Sequence, residues 1–376
     1  MTTATFEQDA AEDIGFGRTL SAGIRAHALP IGLTAIIWIA VHAIIALTPD
    51  HREVDFASFA SMFLLMTLPT LLLAVTIIRF VHLAVHVRPK SPLSALLSDL
   101  YAFFTNSRRL ASGIPLVVGL SFFLEAFNQL KYNIPVIQPF AWDQTFNTLD
   151  KVLHFGRLPW EWLQPVLGFP LITFLINVNY NLWFMVMWCM WVLLAFSPMP
   201  SVLRMRFFLS FILAWTIGGG FAAVLLSSAG PAYYSALELA PDPYAPLMSY
   251  LNGVGETWKL WALDTQQMLW DAHTGKQNIV AGISAMPSMH NASSLLFALV
   301  AWQMNRKAGI ALAIFATLIF IGSVHLGWHY AVDAYLGWTI TIIVWWICGP
   351  IARWNQRQSW TSNYLALLKQ LPDKVR

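Results

Sequence analysis

The feature that most constrains this chain is a succession of apolar runs, each near the roughly 20 residues that a helix needs to cross the hydrocarbon core of a bilayer. They fall near residues 28 to 47, 57 to 83, 113 to 130, 168 to 196, 207 to 228, 289 to 304, 308 to 326 and 334 to 352. Backbone surrounded by lipid must satisfy its own N–H and C=O groups, and runs of this length do so as helices. Composition agrees: 57% of the 376 residues are hydrophobic and 11% charged, where a soluble domain carries about a quarter charged residues. The expected fold is an all-α polytopic membrane protein with about eight transmembrane helices.

The charges give an orientation. Most Lys and Arg, among them Arg88, Lys90, Arg108, Arg109, Arg204, Arg206, Arg306, Lys307, Arg353 and Arg357, fall in segments that share one side if the N-terminus is cytoplasmic. Short cytoplasmic loops collect basic residues, so both termini are expected inside. The first 26 residues show no short apolar core followed by a small-residue cleavage site, which argues against a removable signal peptide. Cys189 and Cys348 both sit in apolar runs and suggest packing, not a disulfide framework. A Cys-poor chain of this kind fits a bacterial inner membrane with its outer loops in the periplasm.

The chain divides accordingly. Residues 1–26 form a cytoplasmic segment, and 27–112 hold two extra spans and a cytoplasmic surface helix in RPKSPLSALLSDLYAFFTNSRR. Residues 113–352 hold six spans with two long outer loops, 131–167 and 229–288, and 353–376 form a cytoplasmic tail. Within the first loop, TFNTLDKVLHF has the alternation of an interfacial helix. The second begins SSAGPAYY and contains the tryptophan-rich TWKLWALDTQQMLW. Both are expected to cap the helices.

Chemistry concentrates at the outer ends of the last spans. In GSVHLGWHYAVDAYLG, His325, His329 and Asp333 stand four residues apart, which on a continuous helix places them within about 80° of one another. His290, in SAMPSMHNASS, starts the sixth span. One inward and one outward crossing return the chain to the same leaflet, so His290 and His329 are expected at one depth. Ionisable groups in a membrane are costly and mark function. Two imidazoles and a carboxylate suggest His329 as nucleophile, Asp333 as the acceptor that fixes its tautomer, and His290 as proton donor to a leaving oxygen. Pro287 and Ser288 open a helix, whose free N–H groups suit a phosphate.

These residues carry a family resemblance. Pro287-Ser288-Met289-His290, followed by His329-Tyr330-Ala331-Val332-Asp333, resembles the P-S-x-H and S-R-x5-H-x3-D motifs of the type 2 phosphatidic acid phosphatase superfamily. Within it, SSAGPAYY and ISAMPSMHNA are similar to the branch of inositol phosphorylceramide synthases and their bacterial relatives. The resemblance spans roughly 113 to 352 and implies a six-helix catalytic core. It also implies a phosphohistidine at His329 braced by Asp333, with His290 as general acid, no metal and no cofactor.

The sequence departs from the pattern twice. The Ser-Arg pair falls on Gly322 and Ser323, and no K-x6-R-P motif is present: the one Arg-Pro, Arg88-Pro89, has Val81 at the Lys position and lies on the cytoplasmic side. The phosphate therefore lacks an assigned cation, for which Lys151, Arg157, Lys259 and Lys276 are the outer candidates. The expected substrate-binding set is Pro287, Ser288, Ser323, His325 and Tyr330 from the motifs, Pro231 and Tyr233 from SSAGPAYY, and Lys151 and Lys276. Expected partners are a lipid substrate and bilayer lipids, with no nucleic acid.

Alternatives follow from the same residues. His290, His325, His329 and Asp333 have the donor types of a zinc or iron site. Glu125 and the cluster Asn177, Asn179 and Asn181 suit either a headgroup site or hydrogen bonding between helices. In function, a lipid phosphotransferase resembling inositol phosphorylceramide synthase competes with a polyprenyl or phosphatidate-type lipid phosphatase. A proton-coupled lipid transporter is the reading from another class.

Overall fold

A computed structural model describes residues 3–53, 72–197, 201–277 and 281–371, together with Leu65 and Pro69. The described residues form fifteen helices and no strand. Six are long and apolar enough to cross a membrane: α2 (Ala28–Leu47), α5 (Ser107–Ile137), α8 (Pro170–Ala195), α9 (Val202–Leu225), α13 (Arg306–His325) and α14 (Ala331–Gln356). The protein is an all-α integral membrane protein. Of the eight expected spans, the one at 57 to 83 lies in its first half largely outside the described residues; its second half belongs to α3 (Leu72–Val87).

The span expected at 289 to 304 is α12 (Met289–Met304), with 16 residues, about 24 Å long at 1.5 Å per residue and so shorter than a bilayer core. Its limits are local. Ser288 caps its start, and at its end Asn305 accepts from the N–H groups of Lys307 and Ala308, opening α13 without a loop. The two helices pack as a tight antiparallel hairpin.

Around that hairpin, α14 packs on α12 and α9, α8 on α13, and α5 on α8, while α2 lies along α5. Close approach at one crossing depends on glycine. A Cβ on Gly219 would sit 2.6 Å from the Phe127 ring and 3.1 Å from Met289 Cγ, so this wide stretch of α9 seats α5 and the start of α12 together. At the end of the bundle away from α12's N-terminus, the terminal helices α1 (Thr3–Ala26) and α15 (Ser359–Gln370) pack together, with α4 (Pro92–Phe104) nearby. Two amphipathic pairs cover the other end: α6 (Asp143–Leu153) with α7 (Pro159–Leu167), and α10 (Ala245–Gly255) with α11 (Trp261–His273).

Candidate active site

His329 does not lie on a helix. α13 ends at His325, and the chain turns through Leu326 and Gly327, whose φ is +72°. The N–H groups of Trp328 and His329 then both donate to the carbonyl of Ser323, at 3.0 Å each. α14 restarts at Ala331, with Tyr330 as its N-cap and Asp333 in its first turn. Asp333 Oδ2 lies 3.1 Å from His329 Nδ1 and accepts the Tyr330 N–H at 3.1 Å. The carboxylate thus holds both the imidazole and the turn that carries it, and its Oδ1 has no partner.

This break corrects the expectation of three groups on one helical face. His325, on the far side of the turn, is fully buried and points to α8, with Nε2 2.9 Å from Thr173 Oγ1, which lies 2.7 Å from the Tyr250 hydroxyl. It packs α13 against the cap and takes no part in the pair. The donor set of a metal site is accordingly not assembled: among the described residues no three His, Cys, Asp or Glu side chains come together.

His290 does meet His329. Their ring centroids are 6.5 Å apart at an interplanar angle of 54°. The His290 ring is held by aromatic contact: Trp183 at 4.0 Å, Tyr180 at 4.9 Å in near-parallel stacking, and Phe184 at 6.0 Å edge-on. Positions 180, 183 and 184 share one face of α8. The Tyr180 hydroxyl and the Trp328 indole N–H are buried without hydrogen-bond partners. Such groups are rare in folded proteins and suit a polar ligand that arrives between the rings.

The remaining predicted residues mostly build the frame. Ser288 Oγ accepts from Asn291, whose Nδ2 also reaches Ser323 Oγ at 3.2 Å, while Ser288 N donates to the Asp333 carbonyl at 3.0 Å. Pro287 is buried beside it. Pro231 is buried in the loop that meets the His329 turn, where Ala232 N donates to the Gly327 carbonyl at 2.9 Å. Tyr233 hydrogen-bonds the Gln266 carbonyl, and the Tyr330 hydroxyl donates to Asp143 at 2.9 Å. Asn177 accepts from Ala262 N of α11, and Glu125 pairs with Trp38 and His42 of α2; both sets serve contact between helices.

Two carboxylates that the sequence did not single out do most to hold the frame. Asp143 accepts from Ala229 N at 3.0 Å and Gly230 N at 2.8 Å as well as from Tyr330, and Asp150 accepts from Ala331 N at 2.8 Å and Val332 N at 3.0 Å. Burial pushes both carboxyls up, Asp150 to about 7, with nearby Asp333 adding to its shift.

A family model described as the PAP2 superfamily matches residues 144–347, more than half of the chain. The chain belongs to the PAP2 superfamily. Membership makes it an enzyme of the phosphatase or phosphotransferase type. Among curated proteins and among solved structures, nothing matched.

Lys131, near the end of α5, is a basic residue close enough for its charge to reach the pair. Its charge acts on both His290 and His329, and among the described residues it forms no ion pair. The signal was present in the sequence: Lys131 is followed, at the spacing of K-x6-R-P, by Gln138-Pro139, with Gln in place of Arg. The candidates named from sequence lie elsewhere. Lys276 is exposed, Lys259 pairs with Asp264 at 2.6 Å, Arg157 covers the Trp162 ring, and Lys151 is a half-buried residue of α6. Burial and the Lys131 charge hold the His329 imidazole down at about 3, so it is neutral, as a nucleophile must be.

Proposed function

We propose that the protein removes a phosphoryl group from a lipid phosphate, or transfers it to an alcohol, through a phosphohistidine on His329. The carrying observation is the pairing of His290 with His329 across 6.5 Å while Asp333 holds the far nitrogen of His329. The ring nitrogen of His329 that faces away from Asp333 attacks phosphorus, the bond from phosphorus to the lipid oxygen breaks, and His290 gives that oxygen a proton. An anionic phosphate between the rings raises the proton affinity of both, which favours a protonated His290 in the complex. In the second half, water or a hydroxyl attacks phosphorus, His290 takes back the proton, and the nitrogen–phosphorus bond breaks. Lys131 stabilises the charge on the phosphoryl oxygens, and the Tyr180 hydroxyl and Trp328 indole are donors for them.

Two observations support a lipid substrate at the non-cytoplasmic face: the site sits at the end of an apolar bundle, and the basic residues concentrate at the other end. The similarity of SSAGPAYY to the synthase branch supports an alcohol as the second acceptor, with inositol phosphorylceramide synthase-like chemistry as the finer reading. The test is phosphate release from long-chain lipid phosphates by purified protein in lipid nanodiscs, with and without added alcohols. Acid-labile phosphate trapped on His329 of the native protein, and its absence with loss of turnover in His329→Ala, is the expected result. Native turnover by His329→Ala would overturn it.

A further inference from the structure

α6 buries acids and exposes aliphatic groups. Asp143, Phe146, Asn147 and Asp150 recur at the spacing of one helical face and are buried, while the exposed side is divided: Gln144, Thr145 and Thr148 near its start, and Leu149, Val152 and Leu153 toward its end, followed by Phe155 at 92% exposure. A helix in water turns its apolar side inward. Here the inward side carries two carboxylates, and the outward side carries an aliphatic flank beside Gln144, Thr145 and Thr148, the pattern expected of a helix lying at the boundary between lipid and water.

The exposed surface continues along the chain. Trp162 and Val166 of α7 and then Phe169 are exposed in the same way, and α7 passes directly into the span α8, where Leu171 and Leu175 are exposed. The apolar face of α6 thus joins the lipid-facing side of a transmembrane helix, which identifies bilayer lipid as its occupant. Inward, Asp143 holds Ala229, Gly230 and the Tyr330 hydroxyl, and Asp150 caps the first turn of α14 at Ala331 and Val332. Those bonds bracket the turn that presents His329 and the helix that presents Asp333.

We infer that α6 is a membrane-seated clamp: its exposed apolar face rests in lipid at the site's end of the bundle, while Asp143 and Asp150 act as positioning residues for His329 and Asp333. Lipid surrounding α6 then fixes the alignment of the catalytic pair, and the enzyme is most competent when embedded in a bilayer. The inference uses the phosphoryl-transfer reading for its kinetic readout alone.

The experiment compares native protein, Asp150→Ala, Asp150→Asn and the double variant Val152→Ser with Phe155→Ser, in nanodiscs and in detergent. Amide hydrogen exchange of residues 326–333 is followed beside turnover of a long-chain lipid phosphate. In nanodiscs, Asp150→Ala is expected to raise exchange at Ala331 and Val332 selectively, leaving α5 protected, and to lower kcat about 100-fold with KM little changed, as a misplaced catalytic group does. Asp150→Asn keeps an acceptor oxygen and recovers part of both. Native protein gains loop protection and kcat on moving from detergent to nanodiscs, and the double variant loses that gain. Native exchange and kcat in Asp150→Ala, exchange raised equally throughout the protein, or an undiminished nanodisc gain in the double variant would each overturn the clamp. If native protein turns over no lipid phosphate while Asp150→Ala still exposes the 331–332 amides, the proposed reaction fails and the clamp stands.

Discussion

His329 Nδ1 sits 3.1 Å from Asp333 Oδ2, and the same oxygen accepts the backbone N–H of Tyr330 between them. One carboxylate therefore orients the imidazole, caps α14 and closes the turn that links the two. Replacing Asp333 by Asn retains an acceptor for Tyr330 and removes the charge that stabilises a developing imidazolium. Turnover is expected to fall by roughly four orders of magnitude, as it does where a triad carboxylate is neutralised. Single-turnover kinetics check this, with native helicity by circular dichroism as the control for folding.

Lys131 offers a second measurement. Lys131→Met is expected to raise KM for a lipid phosphate at least tenfold and Lys131→Arg much less, because both lysine and arginine supply a cation at that place. The Lys131 charge also contributes to the low His329 value of about 3, so the acid limb of kcat/KM moves to higher pH in Lys131→Met. Lys151→Ala and Lys276→Ala leave both parameters within about a factor of two, the scale of an unpaired surface charge. An unchanged acid limb in Lys131→Met would place the cation away from His329.

Stability has a predictable dependence on pH at Asp150. Its folded value, about 7, is raised from 3.8 by burial and by Asp333 of α14, against opposing backbone hydrogen bonds and the charge of His154; Tyr244 and Tyr335 also face it. Between those values the folded protein retains a proton that the unfolded chain has released, so this group's contribution to stability declines as pH rises from about 4 through 7. Thermal unfolding at a series of pH values is expected to show a shallower decline for Asp150→Asn than for the native protein. Identical slopes would show that Asp150 does not titrate in this window.

Gly230 tests the frame from the other loop. Its φ of +103° disfavours any side chain, and an added Cβ would lie 2.7 Å from the Trp328 carbonyl, one residue before His329. Gly230→Ala is expected to cost about 1–3 kcal/mol in stability and to lower kcat more than KM changes. A variant with native melting temperature and kcat would show that the loop yields freely.

Much of this molecule follows from local sequence. Apolar runs of the right length decide that a segment is a membrane helix, because an unpaired backbone in lipid is too costly to tolerate any other form. The spacing of His329 and Asp333 brings them within reach by a single turn of chain, and Ser288 caps α12 through residues three positions away. The sequence even held the Lys131 signal, since Gln138-Pro139 keeps the motif's spacing and only the Arg is changed.

What tertiary structure alone decided is whatever depends on how separate helices are turned toward one another. Periodicity placed His325 with His329, but Gly327 reverses the chain between them, and packing against Thr173 and Tyr250 takes His325 away. The aromatic seat of His290 comes from α8, and the carboxylates that hold the catalytic turn come from α6, with Asp143 standing 187 positions before Tyr330 and Asp150 181 positions before Ala331. A buried acid two turns from another on an amphipathic segment reads as a solvated face until the fold shows both acids turned inward onto backbone N–H groups. Local spacing fixes which groups share a turn; only packing in three dimensions fixes which distant groups find a partner, because the cost of a buried polar atom is paid across the whole contact network and not along the chain.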